Sequence, residues 1–309
     1  MRGSRRKPGP RLRHRAASRL EPVLYDLLIE PFTLGFMRRA LAGCLALSVA
    51  GPPLGVFLVL RRMSLMSDVL QHGILPGLAL GAAVAGLSLP VMGIGGFVAG
   101  LLVAMLAGVL ARATGGREDA QLAATYLVAL ALGVAIISHT RTIDLTHLLF
   151  GSVLAVDDEA LYLMAGVATV ALFGLATIWR PLILESFDSE ALRVAGGRGA
   201  GWHLAFLALV VLCVVGGFAA LGTLMSVGLV MLPAIAARHW SQHLSGQVRA
   251  SVLLAVLSST AGLILSFDMD VPTGPAIVLT AGAAWLLSLA FGPHASLSRR
   301  WLRRPHLAG

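Results

Sequence analysis

The feature of this sequence that most restricts its fold is a series of long apolar runs separated by short polar loops. A helix that spans a bilayer needs about 20 predominantly apolar residues, with about 17 as the lower limit. Runs of this length cover residues 40–60, 65–86, 91–110, 120–138, 160–178, 203–221, 248–267 and 275–291. A shorter run at residues 223–237 contains Gly228 and Pro233, and it is either a full span or a broken or re-entrant helix. The sequence therefore predicts an all-α membrane protein, a polytopic bundle of about eight or nine transmembrane helices.

The composition supports this interpretation, because 57% of the residues are hydrophobic and only 13% are charged. Soluble domains carry about 25% charged residues. So little charge does not cover a water-facing surface of normal size, and most of the outside must face lipid. This excludes a soluble enzyme, a nucleic-acid-binding module and a disordered protein. Cys44 and Cys213 lie inside apolar runs and are predicted to be buried thiols without a disulfide.

The chain divides into three segments by composition. Residues 1–35 form a basic N-terminal tail with a short interfacial segment, residues 36–292 form the membrane domain, and residues 293–309 form a basic C-terminal tail. The net charge of +9 suggests nucleic acid only at first sight. The excess lies in tails beside a membrane body, so anionic lipid headgroups are the expected partner and nucleic acid is not.

Arginine is concentrated in alternate loops, which predicts the orientation of the bundle. The loops after the first, third and fifth runs are rich in arginine (Arg61, Arg62, Arg112, Arg117, Arg180, Arg193, Arg198). The opposite loops are acidic (Asp144, Asp157, Asp158, Glu159, Asp268, Asp270). Loops rich in Arg and Lys face the cytoplasm. The same scheme places the Arg-rich N-terminus outside, which this rule disfavours, so the side of the N-terminus stays open.

One carboxylate lies well inside an apolar run, and it is followed one helical turn later by a histidine. These residues are Asp68 and His72 in the second run. Residues i and i+4 share a helix face, so the carboxylate and the imidazole point into the same space. Ionisable residues inside a membrane span are functional candidates by default. Carboxylate plus imidazole suits Zn²⁺, Mn²⁺ or Fe²⁺, so Asp68 and His72 are the predicted metal ligands.

An alternative without metal remains for this pair. Asp68 would then hydrogen-bond to His72 or cap a helix after Ser67. Two ligands do not complete a metal site, so water, backbone oxygens or a second subunit must supply the others. The remaining histidines that attract attention, which are His139, His147, His239 and His243, are interpreted as ordinary interfacial or solvated residues.

The sequence lacks the motifs of several enzyme classes. No G-x-x-x-x-G-K-[ST] motif is present, so the chain does not bind ATP phosphates in that way. The metalloprotease and hydrolase motifs H-E-x-x-H and G-x-S-x-G are absent as well. The chain is therefore predicted not to be an enzyme.

Four segments in register resemble the permeases of zinc/manganese/iron ABC transporters. They are G-V-F-L-V-L-R-R-M-S-L-M-S-D-V-L-Q-H-G-I-L-P-G at 55–77, D-L-T-H-L-L-F-G at 144–151, G-L-V-M-L-P-A-I-A-A at 228–237 and D-V-P-T-G-P-A-I-V-L at 270–279. The likeness runs from about Pro31 to Phe291. Gln71 stands where a small residue such as Ser is usual, Gly73 stands where Ala is common, and the basic extension before Glu21 is not a family feature.

The resemblance implies an inner-membrane permease of the type II importer kind. It would pair with a second permease, expected to be another copy of this chain, and work with a cytoplasmic ABC ATPase and an extracytoplasmic metal-binding protein. No cofactor is expected to be bound permanently, because the metal is the cargo: zinc first, then manganese and iron. The family's metal-contacting aspartate and histidine match Asp68 and His72. Its ATPase-coupling loop matches Phe187, Asp188, Ser189, Glu190, Ala191 and Gly196.

Three rival functions stay open at this point. A permease for haem, a siderophore or cobalamin would not need an isolated Asp–His pair. An ion-driven secondary transporter works without an ATPase and commonly shows paired repeats, and no clear repeat is present. A membrane enzyme that uses Asp68 and His72 as acid and base would need a further catalytic carboxylate or nucleophile in the bilayer, and none is visible.

The coupling loop gives the first testable prediction. Residues 181–199 are too polar to span, and Asp188, Ser189 and Glu190 favour the start of a short helix that Gly196 would end. Such a helix can dock in a groove of an ATPase. We expect Ala191→Arg to lower metal uptake while ATP hydrolysis continues, because the long charged side chain disturbs docking. Uptake at the wild-type rate would show that this loop does not dock there.

Overall fold

The computed structural model describes residues 30–64, 66–86, 88–115, 118–139, 156–187 and 199–294. After a single 3₁₀ turn at Glu30–Thr33 the described chain is built from ten α-helices, and it contains no strand. The helices are α1 Gly35–Leu60, α2 Met66–Gly73, α3 Leu75–Ala85, α4 Leu89–Thr114, α5 Glu118–His139, α6 Asp158–Phe187, α7 Gly199–Leu221, α8 Thr223–Ala237, α9 Leu244–Met269 and α10 Thr273–Phe291.

Eight segments of this structure are long and apolar enough to cross a membrane, with α8 as a shorter apolar helix. This confirms the predicted all-α polytopic bundle. One span differs from its prediction, because the second run forms two helices, α2 and α3, which are separated at Ile74. Cys44 and Cys213 are buried and free, as predicted.

Helix α1 lies at the centre of the bundle and packs against α6, α7, α8 and α9. Small residues permit the close approach. A side chain at Gly51 would place its Cβ 2.7 Å from Cγ2 of Val230 on α8, and at Gly55 a Cβ would collide with the carbonyl of the same residue. Lipid tails are as apolar as the helix surfaces, so the hydrophobic effect does not drive helices together in a membrane. Tight van der Waals contact must hold them together instead. The Oγ atoms of Ser48 and Ser259 add a buried hydrogen bond of 2.9 Å between α1 and α9.

Helices α3, α4 and α5 pack side by side next to this centre. Gly77 on α3 and Gly95 on α4 meet backbone to backbone, so a Cβ at either position would collide with the carbonyl of the other. Gly133 on α5 packs in the same way against the backbone at Leu75 and Pro76. These contacts fix α3, and with it the region that immediately follows α2.

Polar contacts show which loops share an end of the bundle. Arg61 after α1 contacts Glu185 near the end of α6 and His203 near the start of α7, and we call this the Arg61 end. At the other end Nε of Arg39 lies 3.3 Å from Oδ1 of Asp158, and we call this the Arg39 end. The loops after the first and fifth spans are therefore at the same end, in agreement with the pairing inferred from alternate arginine-rich loops.

The short run at residues 223–237 is the returning arm of a helical hairpin with α7. Gly222 turns the chain with a φ of 88°, a conformation that glycine adopts without a steric penalty. The turn lies beside Gly43, one helical turn from Arg39, and Oγ of Ser226 donates to the carbonyl of Val214 across the hairpin. Fifteen residues extend about 22 Å, which is less than the hydrocarbon thickness of about 30 Å. Helix α8 therefore starts inside the bundle and ends at the Arg61 end.

Several predicted features lie outside the described residues. They include residues 1–29, the segment 144–151 with His147, the coupling-loop residues Asp188, Ser189, Glu190, Ala191 and Gly196, and residues 295–309. Phe187, the first residue of that loop, is the last residue of α6.

The pairing of loops leads to a prediction about sidedness. Ser64 is exposed at the Arg61 end and Asp157 is exposed before α6 at the Arg39 end. Because the arginine-rich loops belong in the cytoplasm, we expect an impermeant thiol reagent to label Asp157→Cys in intact cells. Ser64→Cys should react only after permeabilisation, and Cys44 and Cys213 are buried and give a low background. The opposite labelling pattern would invert the topology.

Candidate metal site

Helix α2 carries both predicted ligands and is short because each of its ends is set by local sequence. The chain enters it through a tight turn in which Arg62 has a φ of 60°. Asp68 lies in the first turn, where a carboxylate is favoured by the helix dipole. The helix ends at Gly73, and Pro76 offers no N–H to the carbonyl of His72 four residues before it. That carbonyl is therefore released from the helical ladder beside the imidazole.

The two faces of α2 differ in polarity and in burial. Ser67, Leu70 and Gln71 are buried against the neighbouring helices. The side chains of Asp68 and His72 point the other way and are 62% and 35% exposed. The helix is thus anchored by one face and presents its carboxylate and imidazole on the surface of the single chain.

The two candidate ligands lie close together without a direct bond. Nε2 of His72 is 4.0 Å from Oδ1 of Asp68, which is too far for a hydrogen bond. Both atoms can therefore face the same ion, with the carboxylate supplying charge and the imidazole a borderline donor. In this arrangement the predicted alternative, a hydrogen bond between the two side chains, is not made.

A third residue, Tyr126 on α5, lies beside the imidazole. Its ring stacks on the ring of His72 with centroids 6.3 Å apart and an angle of 30° between the planes. Tyr126 was not predicted from the sequence, because it lies in a different apolar run and a lone tyrosine there resembles any interfacial aromatic residue. The contact shows which part of α5 faces α2.

The site is incomplete within the described part of the chain. Among the described residues no group of three or more His, Cys, Asp and Glu side chains is placed to hold a metal ion. Within that part, the released carbonyl of His72 is a further candidate ligand, and water, another chain or residues outside the described ranges would supply the rest. Next to Asp68, the hydroxyl of Ser67 is fully buried and makes no hydrogen bond within the described part of the chain.

The other histidines do not join this site where their positions are described. His239 and His243 lie at the Arg61 end, where Nδ1 of His239 is 3.3 Å from the carbonyl oxygen of His294. His239 follows α8 and His243 precedes α9, so their i, i+4 spacing does not place them on one helix. His139 ends α5, and its side chain is outside the described part.

Comparison with known proteins identifies several relatives. The model of the ABC 3 transport family matches residues 33–292. The manganese import system permease protein ScaB of Streptococcus parasanguinis is 32% identical over 259 residues, which cover 84% of this chain and 91% of the relative. The chelated iron transport system membrane protein YfeD of Yersinia pestis is 28% identical over 87% of this chain and 90% of its own length. In the structure of PsaBC from Streptococcus pneumoniae in complex with Fab, one chain matches with a TM-score of 0.79 and 28% identity, covering 90% of this chain and 99% of that one.

Proposed function

This chain belongs to the ABC 3 transport family, and on that premise we propose that it is the permease subunit of an ATP-driven importer for divalent transition metal ions. We place manganese first, iron second and zinc third. Zinc was the first expectation from the sequence, but the ligand types do not rank these ions and the relatives named above are manganese and chelated-iron proteins.

The observation that carries this proposal is an exposed carboxylate in an apolar span. Asp68 lies on α2, and the span α2–α3 is otherwise apolar enough to cross a membrane. A charged side chain at the centre of a transmembrane helix costs about 2.5–3.5 kcal/mol on insertion scales. Asp68 lies in the first turn of its span, where an exposed carboxylate favours a surface that faces water or another protein chain, and an ion pathway between two permeases provides both.

A second copy of this chain would complete the site. Each copy would contribute one Asp68 and one His72, so four side chains from two copies would surround a central path. The released carbonyl of His72 would add an oxygen ligand of the kind that Mn²⁺ accepts. The site must hold its ion weakly, because an ion that is bound too tightly would not leave. Two side-chain ligands per copy, on a partly exposed helix, are consistent with weak binding.

The energy source in this proposal is a separate ATPase on the cytoplasmic side. Helix α6 is 30 residues long, about 45 Å, and extends beyond a hydrocarbon core of about 30 Å. It ends at Phe187, where the predicted coupling loop begins. An extracytoplasmic metal-binding protein would deliver the ion at the Arg39 end.

Removal of the Asp68 charge tests this function. Asp68→Asn keeps the shape and removes the charge, so the complex should still assemble while Mn²⁺ uptake into liposomes falls at least about tenfold, since loss of an outer-shell partner alone costs 10–100-fold. His72→Ala should also lose uptake and should change the preference among Mn²⁺, Fe²⁺ and Zn²⁺.

Glu159→Gln is the matched control, because Glu159 is an exposed carboxylate at the start of α6, away from the site. It should transport at the wild-type rate. Wild-type uptake by Asp68→Asn would refute the site, and uptake of a metal chelate but not of the free ion would favour the chelate permease instead.

A further inference from the structure

A buried ionic cluster at the Arg61 end is not used by the site described above. Nη2 of Arg61 lies 2.9 Å from Oε2 of Glu185, and its Nε donates to Oγ of Ser186 at 3.0 Å. Nη1 of Arg61 lies 2.9 Å from Nδ1 of His203. Because a guanidinium has no acceptor, Nδ1 of His203 must accept this hydrogen bond. One side chain thus binds three partners on two helices.

Burial makes this arrangement specific to arginine. The side chains of Arg61 and Glu185 are only 9% and 14% exposed, and the guanidinium carbon lies 5.0 Å from the ring centre of Phe206. A buried charge is tolerated only when it is paired and fully hydrogen-bonded. The planar guanidinium directs its donors to fixed positions and stacks on an aromatic ring, whereas a lysine ammonium does neither in the same way.

The residues of the cluster lie on either side, in the sequence, of the segment that the proposed function assigns to ATPase coupling, residues 188–198. Glu185 and Ser186 are three and two residues before the segment 188–198, and His203 is five residues after it. Arg61 therefore holds both flanks of that segment.

The same arginine begins the short connection to α2. The backbone N–H of Met63 donates to the carbonyl of Leu58 at 2.8 Å, and Arg62 adopts a positive φ, so the turn is tight. Helix α2, with Asp68 and His72, follows directly at Met66. The helix ends on either side of segment 188–198 and the ligand helix are thus separated by one side-chain contact and one turn.

We propose that Arg61 is a positioning residue that couples the end of α6 and the start of α7 to the Asp68–His72 helix, so that movement imposed on these two helix ends by an ATPase changes the metal site. This inference rests on the proposed function. It differs from a purely structural role, in which the cluster would only hold α1, α6 and α7 together.

A charge-neutral double variant separates the two roles. Glu185→Gln alone leaves the Arg61 charge buried without its counter-ion and should lower the thermal unfolding midpoint in detergent. Arg61→Met combined with Glu185→Gln removes both charges and should bring the midpoint back close to wild type. We expect the Mn²⁺ transported per ATP hydrolysed to stay about tenfold below wild type in the double variant, within the range known for coupling residues.

The measurement uses the full chain in liposomes with its ATPase and its binding protein. The matched control is Ser48→Ala with Ser259→Ala, which removes both partners of the buried hydrogen bond between α1 and α9 inside the bundle. It should keep a midpoint close to wild type and the wild-type ratio of transported Mn²⁺ to hydrolysed ATP, because replacing both partners of a hydrogen bond by apolar groups is nearly neutral.

Each outcome decides between the hypotheses. A double variant that recovers both its midpoint and its transport ratio overturns the coupling role and leaves a structural one. If the midpoint does not recover, Arg61→Lys decides, because it keeps the charge and loses the three-way contact. A wild-type ratio in Arg61→Lys would overturn the proposal, and a low ratio would support it. A wild-type complex that hydrolyses ATP but moves neither Mn²⁺, Fe²⁺ nor Zn²⁺ would refute the proposed function itself.

Discussion

The constraint on which this structure depends is the absence of hydrogen-bonding solvent in the hydrocarbon core. Because of this constraint, the backbone must form its hydrogen bonds within helices, and polar side chains in the hydrocarbon core need partners in the protein. The described chain meets this demand at several buried positions. Ser48 bonds to Ser259, and Ser266 bonds to Thr273 at 2.8 Å. Against this background the exposed carboxylate of Asp68, with no side chain hydrogen-bonded to it in the described residues, stands out, and the proposed function accounts for it by a surface that faces water or a second permease.

Tight packing holds the centre of the bundle together. Glycines let α1 approach α8 and let α3 approach α4 until backbone atoms are in contact. These contacts leave little space between the helices, because a close-packed interior has few voids. In the region of the site the regular helix is interrupted at two places, the turn at Arg62 and the single residue Ile74 between α2 and α3.

The sequence predicted those parts of the structure that follow from one-dimensional patterns. The eight long runs correspond to helical segments long enough to cross a membrane, and the alternation of arginine-rich loops predicted that the loops after the first and fifth spans share an end. The spacing of Asp68 and His72 predicted a shared helix face, which the exposed side of α2 shows. Other features depend on long-range contacts. The partners of Arg61 are more than 120 residues away in the chain, and Tyr126 comes from another run, so no local pattern reveals either. The separation of the second span into two helices at Ile74 could not be predicted either, because Gly and Pro are tolerated inside transmembrane helices.

Helix α2 is short, and each of its ends is set by a local feature of the chain. Its eight residues rise about 12 Å, and it is bounded by a left-handed turn before it and by Pro76, which lacks an N–H, after it. Its buried face, formed by Ser67, Leu70 and Gln71, keeps it in place against the core. Its exposed face carries the two ligand atoms 4.0 Å apart. Ile74, between α2 and α3, keeps helical dihedral angles and hydrogen bonds to Leu70 and Leu78. The interruption is therefore limited to the donor that Pro76 lacks, and it separates the segment that carries the ligands from the segment that glycine contacts fix against α4.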